Sequence, residues 1–501
     1  MTFPLKNTDR KEGRLPESGA IDRILPPRLF RWSKRERVLS VLCMLLGMLV
    51  LFGGRSLPEV AAREQSDSSS LYDNLKVFTD VLSIVQRDYV SPVDSKKLVE
   101  GAIKGMLATL DPHSGYLDPD FYQDLQVQTK GEFGGLGIEI TIKDNLLVVV
   151  APMEGSPAEQ AGIHPGDAIV KIEGKFTKEY SLVDAVKKLR GPKGSSILLS
   201  IHRKGASDLI DIPVIRDTIQ VKSVRSRYLN DGFGYVRISQ FMEKTTDDLR
   251  SALQKLAAQA ETAANGTGQL RGLVIDLRNN PGGLLTQAIG VSDLFLRDGV
   301  IVYTDGRIEG QKQKFFAHAR GTEGDYPIVV IVNGGSASAS EIVAGAFKDH
   351  GRALILGTQT FGKGSVQTIT PLENGGAVTL TTALYYTKSG RSIQALGVKP
   401  DIELDLPAVD RVDQSAQGEV QSSSRDGGVR EGDLPGAIGN PNGDPGFDGK
   451  GGALRRINKV PVRQPEVTAI DPEKEDLNVW LKRDTQVSRA LELLKTFNIF
   501  S

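Results

Sequence analysis

Residues 328–341 read IVVIVNGGSASASE. The apolar run 328–332 has no polar face, which is the pattern of a short strand buried on both sides. Gly334 and Gly335 then make a tight turn, and small residues open a helix predicted over 339–350 and closed by Gly351. A second buried strand is predicted over 273–277. It runs into DLRNNPGGLL (276–285), again a strand-to-helix turn. Strands and helices alternate from 217 to 407, so the fold expected there is an α/β core around a buried mixed sheet.

On the N-terminal side of this core, residues 129–216 read as a compact β-rich unit. Short strands are expected at 138–142, 146–150, 168–172 and 197–202, with helical patches at 157–161 and 182–189. Residues 71–128 are expected to be helical, because Leu71, Leu75, Phe78, Leu82, Val85 and Tyr89 step by three and four, and a second helix spans about 96–110. Beyond the core, the composition of 408–470 turns to Gly, Asp, Ser, Gln and Pro. That predicts a flexible insert, since such a segment buries too little apolar surface to offset its ordering entropy. One amphipathic helix, about 473–494 within the segment 471–501, is expected to close the chain.

Lys+Arg and Asp+Glu both total 62 in 501 residues, so no net field draws the molecule to nucleic acid. Cys43, the single cysteine, excludes a disulfide framework and a zinc–cysteine cluster. Residues 1–37 form a polar, Pro-punctuated tail that ends in Arg31, Lys34, Arg35 and Arg37. An uncharged run comes next, within 38–54. A basic flank before an apolar run sends the downstream chain across a membrane, with the run as an inner-membrane anchor or as a signal cleaved near Val60-Ala61-Ala62. The expected location is therefore the periplasmic side of a cell envelope, with residues 1–37 left in the cytoplasm.

Three segments offer chemistry. In GSASAS a serine in the first turn of a helix sits where unpaired N–H groups point outward, as an oxyanion hole requires, but Ser336, Ser338 and Ser340 are all candidates and serine is also a common cap. A serine nucleophile needs a base. His350 ends the helix that Ser338 begins, roughly 18 Å away at about 1.5 Å per residue, and the other histidines lack a catalytic neighbour. Lysine remains, if burial lowers its pKa. Lys363 lies in GTQTFGKGSVQT (357–368) between two glycines, where a solvated loop lysine is the plain alternative. The same segment imitates a phosphate loop, but Gly364 replaces the magnesium-binding Ser/Thr and no helix comes after it, so a nucleotide site is rejected. The turn at Pro281-Gly282-Gly283 exposes bare backbone N–H groups. Within 129–216, Gly135-Leu136-Gly137-Ile138 opens a strand after a Gly-rich turn, a setting that can hold a terminal carboxylate while the strand edge pairs with a peptide. A β-rich spacer is the plain alternative.

These segments together resemble the carboxy-terminal processing proteases, serine peptidases that carry a PDZ domain and a Ser/Lys catalytic dyad. The resemblance rests on DPHSGYL (111–117), GLGI, SPAEQAG with PGD, DLRNNPGG, GSASASE and FGKGSVQ, in that order. It implies an α/β protease core interrupted by a PDZ-like domain at 129–216. Ser338 would be the nucleophile, Lys363 the general base and Gln367 the residue that orients it. Backbone amides of Ala339 and of Gly282 or Gly283 would form the oxyanion hole. It implies no cofactor and no metal, protein substrates with exposed apolar C-termini, and a homo-oligomer; an envelope adaptor protein is a further class of partner that it admits. A catalytically inactive PDZ scaffold that only binds tails is the alternative, against which the intact Ser338, Lys363 and Gln367 set argues.

Overall fold

The apolar residues from Leu71 to Val85 lie in one long helix, α1 (Glu59–Asp88), on which Leu71, Leu75 and Phe78 stay exposed. The computed structural model describes residues 59–263, 269–405, 429–443 and 475–500. The tail at 1–37, the apolar run at 38–54 and most of 408–470 therefore lie outside the described residues. The chain divides into two compact units, residues 1–98 and 99–501. Helix α2 (Ser95–Ala108) is followed by strand β1 (Gly115–Leu117) and helix α3 (Pro119–Lys130). Apolar periodicity does not mark α3; its ends do. Asp118 accepts from Phe121 N–H, Pro119 takes the first helical position, and Gly131 closes the helix at φ 71°.

Strand β2 (Glu132–Gly135) leads into the β-rich unit. Its sheet contains β3 (Ile138–Lys143), β4 (Leu146–Pro152), β5 (Ala168–Ile172), β6 (Lys175–Phe176), β7 (Ser196–His202) and β8 (Ile210–Ile215). The order is β3-β4-β5-β7-β8 with β6 beside β5, so β3 is an edge strand. Helices α4 (Pro157–Gln160) and α5 (Leu182–Leu189) complete the unit; α5 packs near the β3 edge. A separate apolar core, including Leu136, Val149, Ile169, Leu199 and Ile201, fills it. The chain leaves as it entered, because β9 (Asp217–Gln220) pairs antiparallel with β2. The domain is thus inserted on a two-stranded stalk.

The core sheet runs β10 (Val224–Tyr228), β11 (Phe233–Ile238), β12 (Gly272–Asp276), β15 (Ile328–Val332), β16 (Leu354–Gly357), β19 (Ile402–Glu403). Only the β10–β11 pair is antiparallel, so the sheet is mixed. Every residue of β12 and β15 is buried, as their largely apolar runs predict, and the charged end of β12, Asp276, is paired with Arg278. Helices α6 (Thr245–Thr262), α7 (Leu285–Asp293) and α8 (Ala339–Asp349) contribute to the core on one face. A second sheet pairs β1 and β17 (Ser365–Pro371) with β18 (Ala377–Tyr386), which continues to β13 (Val300–Gly306) and β14 (Gln313–Phe316).

Two expectations are corrected at the C-terminal end. The single closing helix is two helices, α9 (Leu477–Arg483) and α10 (Thr485–Phe500), covering the other face of the core sheet through Trp480, Val487, Ala490 and Leu494. The break falls at Asp484, whose carboxylate accepts from Val487 N–H and pairs with Arg278, holding the residue out of helical geometry. Residues 429–443, inside the stretch expected to be flexible, are packed. Glu431 and Asn440 are buried and hydrogen-bonded, so polar contacts supply here the order that apolar surface does not.

Candidate active site

Two strand-to-helix turns, after β12 and after β15, meet at the C-terminal edge of the core sheet, where open α/β sheets place their ligands. The contacts between them separate the three serines of GSASAS. Ser336 Oγ donates to the Leu277 carbonyl (2.8 Å) and Ser340 Oγ to the Asn280 carbonyl (2.9 Å), and both residues are fully buried. Ala337 N–H also donates to the Asn280 carbonyl, at 3.0 Å. The flanking serines thus lace one turn to the other, while Ser338 is only partly buried. Ser338 has φ 53° and ψ −113°, sparsely populated backbone for a residue with a Cβ, at the start of α8.

Glu341, one turn into α8, holds this geometry. Its fully buried carboxylate accepts through Oε2 from Ser338 N–H (2.8 Å) and Lys363 N–H (2.9 Å). Through Oε1 it accepts from Gly362 N–H (2.7 Å) and the Thr360 hydroxyl. One oxygen therefore ties the backbone of Ser338 to that of Lys363. Burial pushes the Glu341 carboxyl up to about 7, against the pull of its four donors. Glu341 closes the GSASASE motif, yet no role is read for it from sequence. The spacing of three from the cap residue is the capping-box signal that could have found it.

Lys363 is partly buried. Burial lowers its pKa from the ordinary lysine value, opposed by the nearby carboxylates of Glu431, Asp111 and Glu341. No hydrogen bond joins its Nζ to Ser338 Oγ among the described residues; such bonds often tighten only once substrate is bound. No hydrogen bond joins Gln367 to Lys363 among the described residues. Strand alternation puts its side chain on the face of Ser365, and its amide donates to Ser365 Oγ (2.9 Å) and Thr381 Oγ1 (3.3 Å).

Gly282 packs against the serine turn. A Cβ there would lie 2.8 Å from both the Ala337 carbonyl oxygen and Ser338 Cβ, and φ is +101°. Only glycine allows so close an approach. As an oxyanion donor, however, Gly282 is corrected: its N–H is taken by Asn280 Oδ1 at 2.9 Å. That leaves Gly283 and Ala339 as the expected backbone donors without a partner among the described residues.

The strand before this turn ends in a buried charge cluster. Arg278 bonds Asp276 and, through both terminal nitrogens, Asp484; its NH1 also reaches Gln486. Burial opposes ionisation of Asp276, but Arg278 and Arg237 outweigh it and hold its carboxyl at about 2. Three of the five histidines have side-chain partners other than Ser338: His350 with the Val300 carbonyl, His318 with Asp293 and His113 with Glu431.

In the inserted domain, Leu136 is buried, its carbonyl accepts from Ala158 N–H, and that of Gly137 accepts from Met153 N–H. Gly137 has φ 70°, with no room for a Cβ beside Ser156. Gly135 ends β2, and Ile138 opens the β3 edge. All four residues thus line the turn into an edge strand beside α5.

Comparison with known proteins agrees with this architecture. The description of peptidase family S41 matches residues 232–404, that of a PDZ domain residues 148–203, and that of the activating protease CtpB N-terminal domain residues 52–121. A carboxy-terminal-processing protease of Bartonella bacilliformis is 49% identical over 342 residues, covering 68% of this chain and 77% of its own. The chain belongs to the carboxy-terminal processing proteases. Carboxy-terminal processing protease CtpA of Bacillus subtilis is 35% identical over 372 residues, covering 74% of this chain and 77% of its own. The photosystem II D1 C-terminal processing protease is a solved structure 33% identical to it, spanning 66% of this chain and 93% of its own at a TM-score of 0.38. As a member of this family, the protein is a serine-type peptidase with a PDZ domain, and its substrates are proteins.

Proposed function

We propose that this carboxy-terminal processing protease cleaves by acyl-enzyme chemistry, with Ser338 as nucleophile and Lys363 as general base. The observation that carries the reading is the shared carboxylate oxygen of Glu341, which fixes the two residues' backbones to one point. Neutral Lys363 takes the proton of Ser338 Oγ as that oxygen attacks the scissile carbonyl. The oxyanion is met by the N–H groups of Ala339 and Gly283. Protonated Lys363 then gives its proton to the leaving amine, and the free amine activates the water that releases the acyl group. The partial burial of Lys363 supports this role, since it favours the neutral amine. Gln367 Oε1, without a partner among the described residues, is the group that would accept from the ammonium.

The β3 edge and the Gly-rich turn at 135–138 would take the substrate's apolar C-terminal tail as an added strand, and so select which chains reach the site. The basic-flanked apolar run at 38–54 supports a periplasmic, membrane-tethered enzyme. The exposed apolar residues of α1 support self-association into a homo-oligomer, with an envelope adaptor as a further partner.

The test is proteolysis of an unfolded protein with an apolar C-terminus by wild type, Ser338→Ala and Lys363→Ala. Both variants are expected to be silent, because losing a general base costs about 10²–10⁴-fold. Equal cleavage by all three would overturn the assignment. Tail binding with no cleavage by wild type would favour the scaffold.

A further inference from the structure

The segment 429–443 returns to the lysine loop with a buried acid. Glu431 is fully buried, outside the motifs from which the dyad is read. Both of its carboxylate oxygens lie 2.8 Å from His113 Nε2, and Oε1 accepts from Gln394 Nε2 at 3.1 Å. The other end of the Gln394 amide accepts from Gly364 N–H at 2.9 Å, and Glu431 N–H donates to the Phe361 carbonyl at 3.2 Å. The residues bracketing Lys363 are therefore held by Glu431, directly at 361 and through Gln394 at 364.

The rest of the segment anchors these contacts. Gln394 Nε2 donates to the Ile438 carbonyl, Asn440 Nδ2 to the carbonyls of Gln394 and Ser392, and Ser392 N–H to Asn442 Oδ1. Arg430 donates to Gln359 Oε1 on the near side of the loop. Glu341 grips the loop from α8 through Gly362 and Lys363, so the lysine turn lies between two buried glutamates, one before the loop in sequence and one after it.

We infer that residues 429–443 are a built-in strap across the lysine loop, and that Glu431 is a positioning residue for Lys363. It fixes the peptide groups on both sides of the lysine, and its buried carboxylate, held by His113 and Gln394, acts on the amine through space. This inference rests on the reading of Lys363 as the base. Three carboxylates act on that amine, Glu431 on the strap, Asp111 before β1 and Glu341 on α8, and His113, also before β1, faces Glu431. Among the charges that favour the ammonium, Glu431 contributes most, ahead of Asp111 and Glu341. The strap thus restrains the lysine's position and keeps its basicity from collapsing under burial. A lysine too weakly basic would hold the serine proton poorly in the transition state.

The experiment compares full-length wild type, Glu431→Ala and Glu431→Gln, with Ser338→Ala as the zero line. Two quantities are read: amide hydrogen exchange by mass spectrometry, and the pH profile of kcat/KM on an unfolded protein substrate. Glu431→Ala should speed exchange at 359–366, leave 138–202 unchanged, and lower kcat/KM by about 10²-fold, the scale of a small misplacement of a catalytic group. Glu431→Gln keeps the shape and an acceptor, so exchange should stay near wild type. Its acid limb should move to lower pH, because a neutral neighbour no longer favours the ammonium. Unchanged exchange and rate in Glu431→Ala would overturn the inference, as would exchange rising equally across the whole chain. An unmoved acid limb in Glu431→Gln would overturn the charge component. Cleavage surviving in Ser338→Ala would condemn the dyad instead, and the exchange result would still decide the strap.

Discussion

Glu341→Gln removes the charge at the centre of the site while keeping its outline. The wild-type carboxylate accepts four donors, two on each oxygen. A carboxamide offers one oxygen, so two of those donors must face an NH₂ group whichever way it turns. Each buried donor left unmet costs about 1–3 kcal/mol. Against this, the acid is lifted from 4.5 to about 7 by burial. At pH 8 the ionised form therefore carries a penalty of roughly 3 kcal/mol at about 1.4 kcal/mol per pH unit, which the amide escapes. The two effects nearly cancel, and stability at pH 8 should change by no more than about 2–3 kcal/mol. Geometry has no such compensation. Whichever way the amide turns, the pair Ser338 and Lys363 or the pair Gly362 and Thr360 loses its acceptor, so the grip of α8 on the lysine loop is halved and kcat/KM should fall about 10²-fold. The sign with pH is also fixed. A raised carboxyl contributes stability that is fully present below about 4.5 and lost as pH rises through about 7. Urea unfolding of wild type should show that loss, and Glu341→Gln should flatten it. A variant with wild-type kcat/KM, or with an unflattened profile, would show that Glu341 does not anchor the site in this way.

Asp484→Ala strips Arg278 of a buried partner and α10 of a cap, and should destabilise by about 3–5 kcal/mol in urea. The fluorescence of Trp480, packed edge-on against Tyr235 at 4.8 Å, reports whether α9 and α10 release. Gly282→Ala drives a Cβ into Ala337 and Ser338 at positive φ. It should cost about 1–3 kcal/mol and slow labelling of Ser338 by a serine-directed probe at least tenfold. Gly137→Ala sets a Cβ 2.4 Å from Ser156 Cβ in the turn before β3. Anisotropy should show weakened binding of an apolar tail peptide, with Ser338 still labelled at the wild-type rate.

The parts of this fold that the sequence discloses are those governed by local rules. The largely apolar runs of β12 and β15 announce strands buried on both faces, and Gly351 marks the end of α8. The inserted domain is equally visible, because its strands alternate between turns, but its stalk is not, since β2 and β9 pair across the whole domain. Likewise, sequence can place Ser336, Ser338 and Ser340 in one turn yet not rank them. That ranking comes from carbonyls of Leu277 and Asn280, far away in the chain. The break at Asp484 and the order at 429–443 escape notice for the same reason. Each depends on a polar partner on a distant element, Arg278 in one case and His113 with Gln394 in the other. Amphipathic periodicity and composition register apolar burial; neither registers polar contacts of that kind.

The most direct test of the Ser338–Lys363 assignment is the site and rate of modification by a fluorophosphonate, read by mass spectrometry of the digested full-length protein. A single adduct on Ser338 is predicted, formed about 10²–10⁴-fold more slowly in Lys363→Ala. An adduct on Ser336 or Ser340, or labelling of Ser338 at the wild-type rate without Lys363, would contradict it.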